Sequence, residues 1–156
     1  MFGLYSLLRG MISDMDSSIS IRPFDPADED AVVQLWHDCG LYRPVNDPHL
    51  DIAAKLKVNP ELFLVAVVDD AIAGTVMAGY DGHRGWINYF GVHPTRQRLG
   101  IGRRLMNEAE IRLRALGCPK INLQVRSTNS SAIDFYKELG FAVDDVVSMG
   151  KRLTEI

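Results

Sequence analysis

The sequence predicts an α/β (α+β) domain in which a mixed, mostly antiparallel central sheet of about seven strands is flanked by four helices. Three observations support this. Three short runs of β-type residues follow one another, joined by turns too brief for anything but antiparallel neighbours. Two later segments change to the 3.6-residue helical period, and a glycine closes each. Around these helices the alternating pattern returns, so the helices are expected to pack on a sheet.

Residues 18–22 alternate as a short strand. Asp25-Pro26 then opens a helix, with Asp25 as N-cap and Pro26 in the first turn; Ala27, Ala31, Leu35 and Cys39 share its expected face, and Gly40 stops it. Asp47-Pro48 starts a short second helix carrying Ile52 and Leu56, which Asn59-Pro60 ends. Residues 62–69, 72–80 and 86–92 are the three β runs, turned at Asp69-Asp70 and at Asp81-Gly82-His83-Arg84-Gly85. Residues 100–116 form the third helix, with Ile101, Leu105, Ala109, Leu113 and Leu116 on one face and Gly117 beyond its end. Residues 120–126 alternate again, residues 129–139 make the fourth helix before Gly140, and residues 141–147 and 148–153 read as two closing strands.

At 156 residues, 47% hydrophobic and 24% charged, the chain is sized for one domain, expected over residues 18–156. Residues 1–17 read as a disordered extension. Their apolar run has no preceding positive charge and is interrupted by Gly3 and Ser6, which fits neither a signal peptide nor a membrane span; Met11 and Met15 are alternative starts. A net charge of -3 argues against a nucleic-acid or membrane-surface binder. Cys39 and Cys118 read as free thiols of a reduced, cytoplasmic protein. His37, His49, His83 and His93 lack paired ligand spacing, so no metal is expected, and Trp36 reads as core.

Chemistry concentrates where the third β run meets the third helix. The first N–H groups of a helix lack intrahelical partners and sit at the positive end of its dipole, which suits a phosphate. Gly100 and Gly102 let an anion approach the backbone, and Arg96, Arg98, Arg103 and Arg104 crowd four cations into nine positions of an acidic chain. The plainer alternative is a glycine-bearing helix start with solvated arginines. A dinucleotide fold would want a third glycine where Leu105 stands, and a P-loop would want Gly-Lys-Ser/Thr; neither is present.

Gln97-Arg98-Leu99-Gly100-Ile101-Gly102 matches Gln/Arg-x-x-Gly-x-Gly/Ala, and with it the chain resembles the GNAT superfamily of acetyl-CoA-dependent N-acetyltransferases. A second matching element runs Asn129-Ser130-Ser131-Ala132-Ile133-Asp134-Phe135-Tyr136-Lys137-Glu138-Leu139-Gly140-Phe141. The likeness extends from about Ile19 to the end. Arg43-Pro44, Asn46-Asp47-Pro48 and the segment from Gly79 to Gly85 are similar to the YpeA group of small bacterial acetyltransferases.

The resemblance implies acetyl-CoA as cosubstrate, held by Phe90, Val92, Gln97, Arg98, Leu99, Gly100, Ile101, Gly102, Arg103, Arg104, Asn129 and Tyr136. It implies that the strands around residues 88–92 and 121–125 splay to admit the pantetheine arm, with the Val92 amide polarising the acetyl oxygen. It implies that Tyr136 is the general acid for the thiolate and Asn129 a contact to the arm; a packing aromatic and a simple N-cap are the plainer alternatives. Asp81 and His83 are candidate bases, set against a turn in which Asp81 and Gly82 only shape the backbone. Arg43, Asn46, Tyr80 and Asp81, with Asp47 and His49 nearby, are candidate acceptor contacts, set against solvated loop.

The expected reaction is direct attack of a primary amine in a ternary complex. The acceptor is a small molecule or a protein amine, and the enzyme is a monomer or homodimer with no nucleic-acid or membrane partner. The alternatives are protein N-terminal acetylation of the ribosomal-protein kind and a noncatalytic acyl-CoA-binding module.

Overall fold

The run Phe63-Leu64-Val65-Ala66-Val67-Val68 has nothing polar to leave at a surface, and it becomes a strand covered on both sides, with Phe63, Leu64, Val65 and Ala66 all 0% exposed. In the computed structural model, which describes residues 18–155, this strand is the second of five. The expected extension at residues 1–17 lies outside the described residues. In chain order the elements are β1 (Ile19–Pro23), α1 (Glu29–Asp38), α2 (Pro48–Lys55), β2 (Phe63–Val68), β3 (Ala71–Tyr80), β4 (Gly85–Val92), α3 (Ile101–Ala115), β5 (Ile121–Leu123) and α4 (Ser130–Glu138). The chain divides into two compact units, one ending at Leu123 and one beginning at Gln124.

In the first unit the sheet order is β1-β2-β3-β4-β5. The first four strands pair antiparallel and β5 lies parallel to β4. Asp69 and Asp70 both take positive φ, 50° and 61°, which gives the β2–β3 hairpin the two-residue turn whose twist suits its strands. Successive residues of β3 show how the sheet is sandwiched. A Cβ on Gly74 would lie 3.0 Å from Leu105 Cδ1 and 3.3 Å from Ile101 Cγ2, so that face carries α3. Thr75, next along, turns its hydroxyl to the Trp36 indole on the other face. On that second face Val32, Trp36 and Ile52 cluster with Phe24, Phe63, Val65 and Met77.

The caps form as the sequence suggests. Asp25 accepts from the Ala27 amide and closes a capping box with Asp28, and Asp47 accepts from the amides of His49 and Leu50. Two faces differ from expectation. A 3-10 turn at Pro26–Asp28 precedes α1, and its tighter winding shifts the register, so Ala27 and Ala31 are exposed and the buried stripe is Val32, Leu35 and Trp36. Leu116 falls after the last helical residue of α3 and is 46% exposed, while Met106 takes an inward position.

Among the described residues the sheet has five strands, not about seven. Residues 120–126 contribute only Ile121–Leu123, and residues 141–147 and 148–153 form no ladder among the described residues. β-type residues make a strand only when their backbone finds a partner. Here Asp144-Asp145 followed by Val146-Val147 breaks the alternation, and Val143, Val146, Val147, Met149 and Leu153 are 77% to 90% exposed. No helix among the described residues is long and apolar enough to cross a membrane.

Candidate functional site

At the end of β4 the His93 amide donates to the Ala73 carbonyl at 2.8 Å, the last main-chain tie to β3 before the chain leaves the sheet. His93 Nδ1 accepts from the Thr95 amide at 3.2 Å and caps a 3-10 turn at Pro94–Arg96, which leaves Nε2–H to face Asp38 Oδ2 at 3.3 Å. Gln97 then runs extended and its side-chain amide donates back to the Val92 carbonyl at 3.3 Å. Arg98 and Gly100 take left-handed φ of 67° and 81°, and α3 starts.

Gly100 is the N-cap of α3 and has no side chain to satisfy the helix's first donors. The first intrahelical bond runs from the Arg104 amide to the Gly100 carbonyl, so the amides of Ile101, Gly102 and Arg103 precede the ladder and point out of the N-terminus. Gln97, Arg98, Leu99 and Gly100 are exposed, and a Cβ built on Gly100 would meet nothing within 4 Å. The stretch Gln97–Gly100 is therefore open, while Gly102 is buried in the first turn of α3 and, like Ile101, can offer only its main chain. Arg98 and Arg103 are exposed beside it and Arg104 is half-buried, whereas Arg96 is committed to Asp69 of the β2–β3 turn at 3.1 Å. Ile101 is 1% exposed, its side chain turned toward Gly74, so it offers the turn only its main chain.

β4 carries a bulge just before this junction. Thr75 pairs with Gly91 and Met77 with Asn88, so Tyr89 and Phe90 together oppose Val76. Tyr89 takes φ 46°, a left-handed conformation that costs a bulky residue on the order of 1–3 kcal/mol. Three contacts hold it there. Its ring stacks on Trp36 at 3.9 Å between centroids, its carbonyl accepts from Thr75 Oγ1 at 2.8 Å, and its hydroxyl donates to Asp51 Oδ2 at 2.5 Å. Burial, with the Asp51 carboxylate alongside, raises the phenol's pKa and keeps it protonated. Sequence reading missed Tyr89, Thr75 and Asp51, because a bulge leaves no mark on a pattern that alternates as well without it.

β5 pairs with β4 only from Gly85 to Ile87. Along the rest of β4, which includes the half-buried Phe90 and Val92, no strand among the described residues covers the edge away from β3.

The remaining sequence-picked residues of this unit are engaged in shaping loops. Asp81 Oδ1 accepts from the amides of His83 at 2.8 Å and Arg84 at 2.7 Å, and Oδ2 from Trp86 Nε1 at 3.3 Å. The backbone bonds from Arg84 and His83 lower its pKa, which reduces its strength as a base and favours the turn-shaping alternative. His83 is exposed on the same turn. Tyr80 Oη lies 3.5 Å from the Gly117 carbonyl. The Arg43 guanidinium donates to the carbonyls of Gly40 and Tyr42, each at 3.1 Å, and the Asn46 amide donates to the Arg43 carbonyl at 2.9 Å. His49 faces Glu29 at 3.6 Å. Cys39 is half-buried, and burial, with Asp38 nearby, pushes its thiol up to about 11, which disfavours an acyl-cysteine.

In the second unit, Asn129 caps α4 by accepting from the Ala132 amide at 3.2 Å. Tyr136 meets Phe135 and Phe141 edge to face at 5.7 and 5.8 Å between centroids, and burial raises its pKa.

The sequence model of the acetyltransferase (GNAT) family matches residues 26–141. An acetyltransferase of Yersinia enterocolitica is 47% identical over 135 residues, which span 86% of this chain and 96% of that protein. Among solved structures, Ard1 from Thermoplasma volcanium superposes with a TM-score of 0.74 at 28% identity, over 81% of this chain and 84% of that one. The PaiA N-acetyltransferase of Thermoplasma acidophilum, solved with coenzyme A, shares the fold with a TM-score of 0.72 at 22% identity, over 83% and 93% of the two chains.

Proposed function

This chain belongs to the acetyltransferase (GNAT) family, and from that premise we propose that it moves acetyl from acetyl-CoA directly to a primary amine held in the same complex. The enzyme is an acyltransferase, and acetyl-CoA is its cosubstrate. The observation that carries the reading is the open, glycine-capped N-terminus of α3 directly after β4, at the motif Gln97-Arg98-Leu99-Gly100-Ile101-Gly102. The family model runs across the boundary at Leu123, which supports treating residues 18–155 as one catalytic domain.

In this reading the amides of Ile101, Gly102 and Arg103 take the pyrophosphate, and Arg98, Arg103 and Arg104 neutralise it. The edge of β4 that no strand covers among the described residues is where main-chain groups would meet the pantetheine amides, and the Val92 amide supports negative charge on the acetyl oxygen. The amine nitrogen bonds to the thioester carbon as the C–S bond breaks, the thiolate takes its proton from the Tyr136 hydroxyl, the nitrogen's excess proton leaves to solvent, and the Tyr136 phenolate takes a proton back from solvent before the next turnover. What supports this role is the likeness of the segment Asn129–Phe141 to the family's cofactor-side helix; burial, which raises the pKa of Tyr136, keeps the proton in place and makes the phenol a weaker acid. Gln97 serves the turn itself, tying it to the Val92 carbonyl.

The test is a panel of amines, including amino acids, polyamines and peptides with free amino termini, incubated with acetyl-CoA and scored by thiol release and product mass. A product heavier than one amine by an acetyl group supports the reading. Acetyl-CoA that neither binds nor stabilises the fold refutes it.

A further inference from the structure

We propose that Asp51 and Tyr89 are positioning residues of the transfer reaction, their hydrogen bond holding the β4 bulge in the shape that presents the Val92 amide to the acetyl oxygen. This rests on the cofactor reading above and adds to it the device that sets the amide's place.

The bulge ends two residues before Val92, so a change in the Tyr89 backbone is passed straight to the peptide planes that follow. Tyr89 is not a residue that holds a left-handed φ by itself, and something outside the strand must maintain it. Two of its three contacts come from the core, the Trp36 ring and the Thr75 hydroxyl. Those contacts fix the ring's plane and the carbonyl. The hydroxyl at the far end of the ring is held by the third, from Asp51.

Asp51 is well placed to supply it, because α2 is itself immobilised. Asp47 caps the helix one turn earlier, Ile52 is 1% exposed in the core beneath it, and Lys55 Nζ donates to the Ala78 carbonyl of β3 at 2.5 Å. Asp51 and Lys55 stand four residues apart, one helical turn, and pin the helix to adjacent strands. Beyond the bulge the strand is confined again. A Cβ on Gly91 would come 2.8 Å from Leu41 Cδ1, so the stretch between α1 and α2 packs closely on β4 one residue before Val92. The segment leading to Val92 is thus set from α2 and from the stretch before it, which the sequence reading gave to the acceptor.

The role requires an acceptor atom at position 51 and not a charge. The amide oxygen that Asp51→Asn introduces would accept the same phenolic hydrogen, which separates positioning from electrostatics.

The experiment is infrared spectroscopy of acetyl-CoA labelled at the carbonyl carbon and bound to the whole protein, compared among wild type, Asp51→Ala, Asp51→Asn and Tyr89→Phe. In wild type the bound carbonyl band lies below that of free acetyl-CoA, because a hydrogen bond weakens the C=O bond. In Asp51→Ala and Tyr89→Phe the band moves at least halfway back to the free position, while the acetyl-CoA dissociation constant changes by less than about threefold. Asp51→Asn keeps the wild-type band. Amide hydrogen exchange of the ligand-free variants checks the same point without cofactor, with faster exchange expected at residues 88–92 in Asp51→Ala and Tyr89→Phe. Should Asp51→Ala not fold, Tyr89→Phe, which keeps the ring, decides the matter. Unchanged bands in the folded variants overturn the proposal, and so does an Asp51→Asn band displaced as far as that of Asp51→Ala. Wild-type protein that fails to bind acetyl-CoA at all overturns the cofactor reading, and this proposal with it.

Discussion

Trp36 donates its indole N–H to the hydroxyl of Thr75 at 3.0 Å, and the two side chains are 1% and 0% exposed. The same hydroxyl donates to the Tyr89 carbonyl, so one buried oxygen satisfies a core donor and a carbonyl that the bulge removes from the ladder. Thr75→Val keeps the volume and removes the oxygen, leaving both partners unsatisfied. A loss of about 2 kcal/mol in stability is expected by urea titration, with Thr75→Ser recovering most of it. A neutral Thr75→Val would mean that the chain of bonds does not bear on the fold.

Gly100 stands at φ 81° with open space where a Cβ would go. Gly100→Ala therefore meets no clash within the protein and pays only for its backbone conformation, about 1 kcal/mol. The same methyl projects toward the proposed pyrophosphate position, so coenzyme A is expected to bind more weakly than that strain alone explains. Calorimetric titration alongside thermal melts separates the two effects.

Asp28 receives both terminal nitrogens of Arg22, at 2.7 and 2.9 Å, and the Asp25 amide at 2.9 Å. The Arg22 hydrogen bond comes first among the causes that lower its pKa. A depressed carboxylate contributes stability that is present above the unfolded value of about 3.9 and is lost as pH falls through the folded value. Asp28→Asn is expected to cost about 1 kcal/mol at neutral pH, because Arg22 is partly exposed and the pair is screened. The gap between wild type and variant should close in acid. A gap that persists below both pKa values would assign the loss to the cap.

Tyr136 carries a pKa raised by burial, so its acidic form persists beyond the ordinary value near 10. Transfer by the wild type should not decline on the alkaline side before that value through loss of this proton. Tyr136→Phe should lower kcat about 100-fold and leave acetyl-CoA affinity unchanged, as read from thiol release and from binding separately. An unchanged kcat with chemistry limiting would remove Tyr136 as the acid.

Much of the fold was legible because local chemistry fixed it. Asp25 and Asp47 cap the turns they were expected to cap, Gly100 opens α3, and the hairpin runs pair as their short turns require. What failed depended on partners that a sequence does not display. The 3-10 turn at Pro26–Asp28 rotated the face of α1 away from Ala31, and residues 141–153 read as strands on their β-type residues although Asp144-Asp145 and Val146-Val147 interrupt the alternation and no partner strand is there to pair with them among the described residues. The turn that opens α3 was visible because Gly100 stands where a strand-type run gives way to the helical period. The Asp51–Tyr89 bond joins residues 38 positions apart through a bulge, and no periodicity announces it.

The central claim is that the main chain opening α3 holds the coenzyme's pyrophosphate. Its most direct test is a titration of coenzyme A followed by amide proton–nitrogen correlation spectra of the whole chain. The expected result is that the amides of Ile101, Gly102 and Arg103 move first and furthest, saturating together with the binding curve. If those three stay fixed while the coenzyme binds elsewhere, the claim is contradicted.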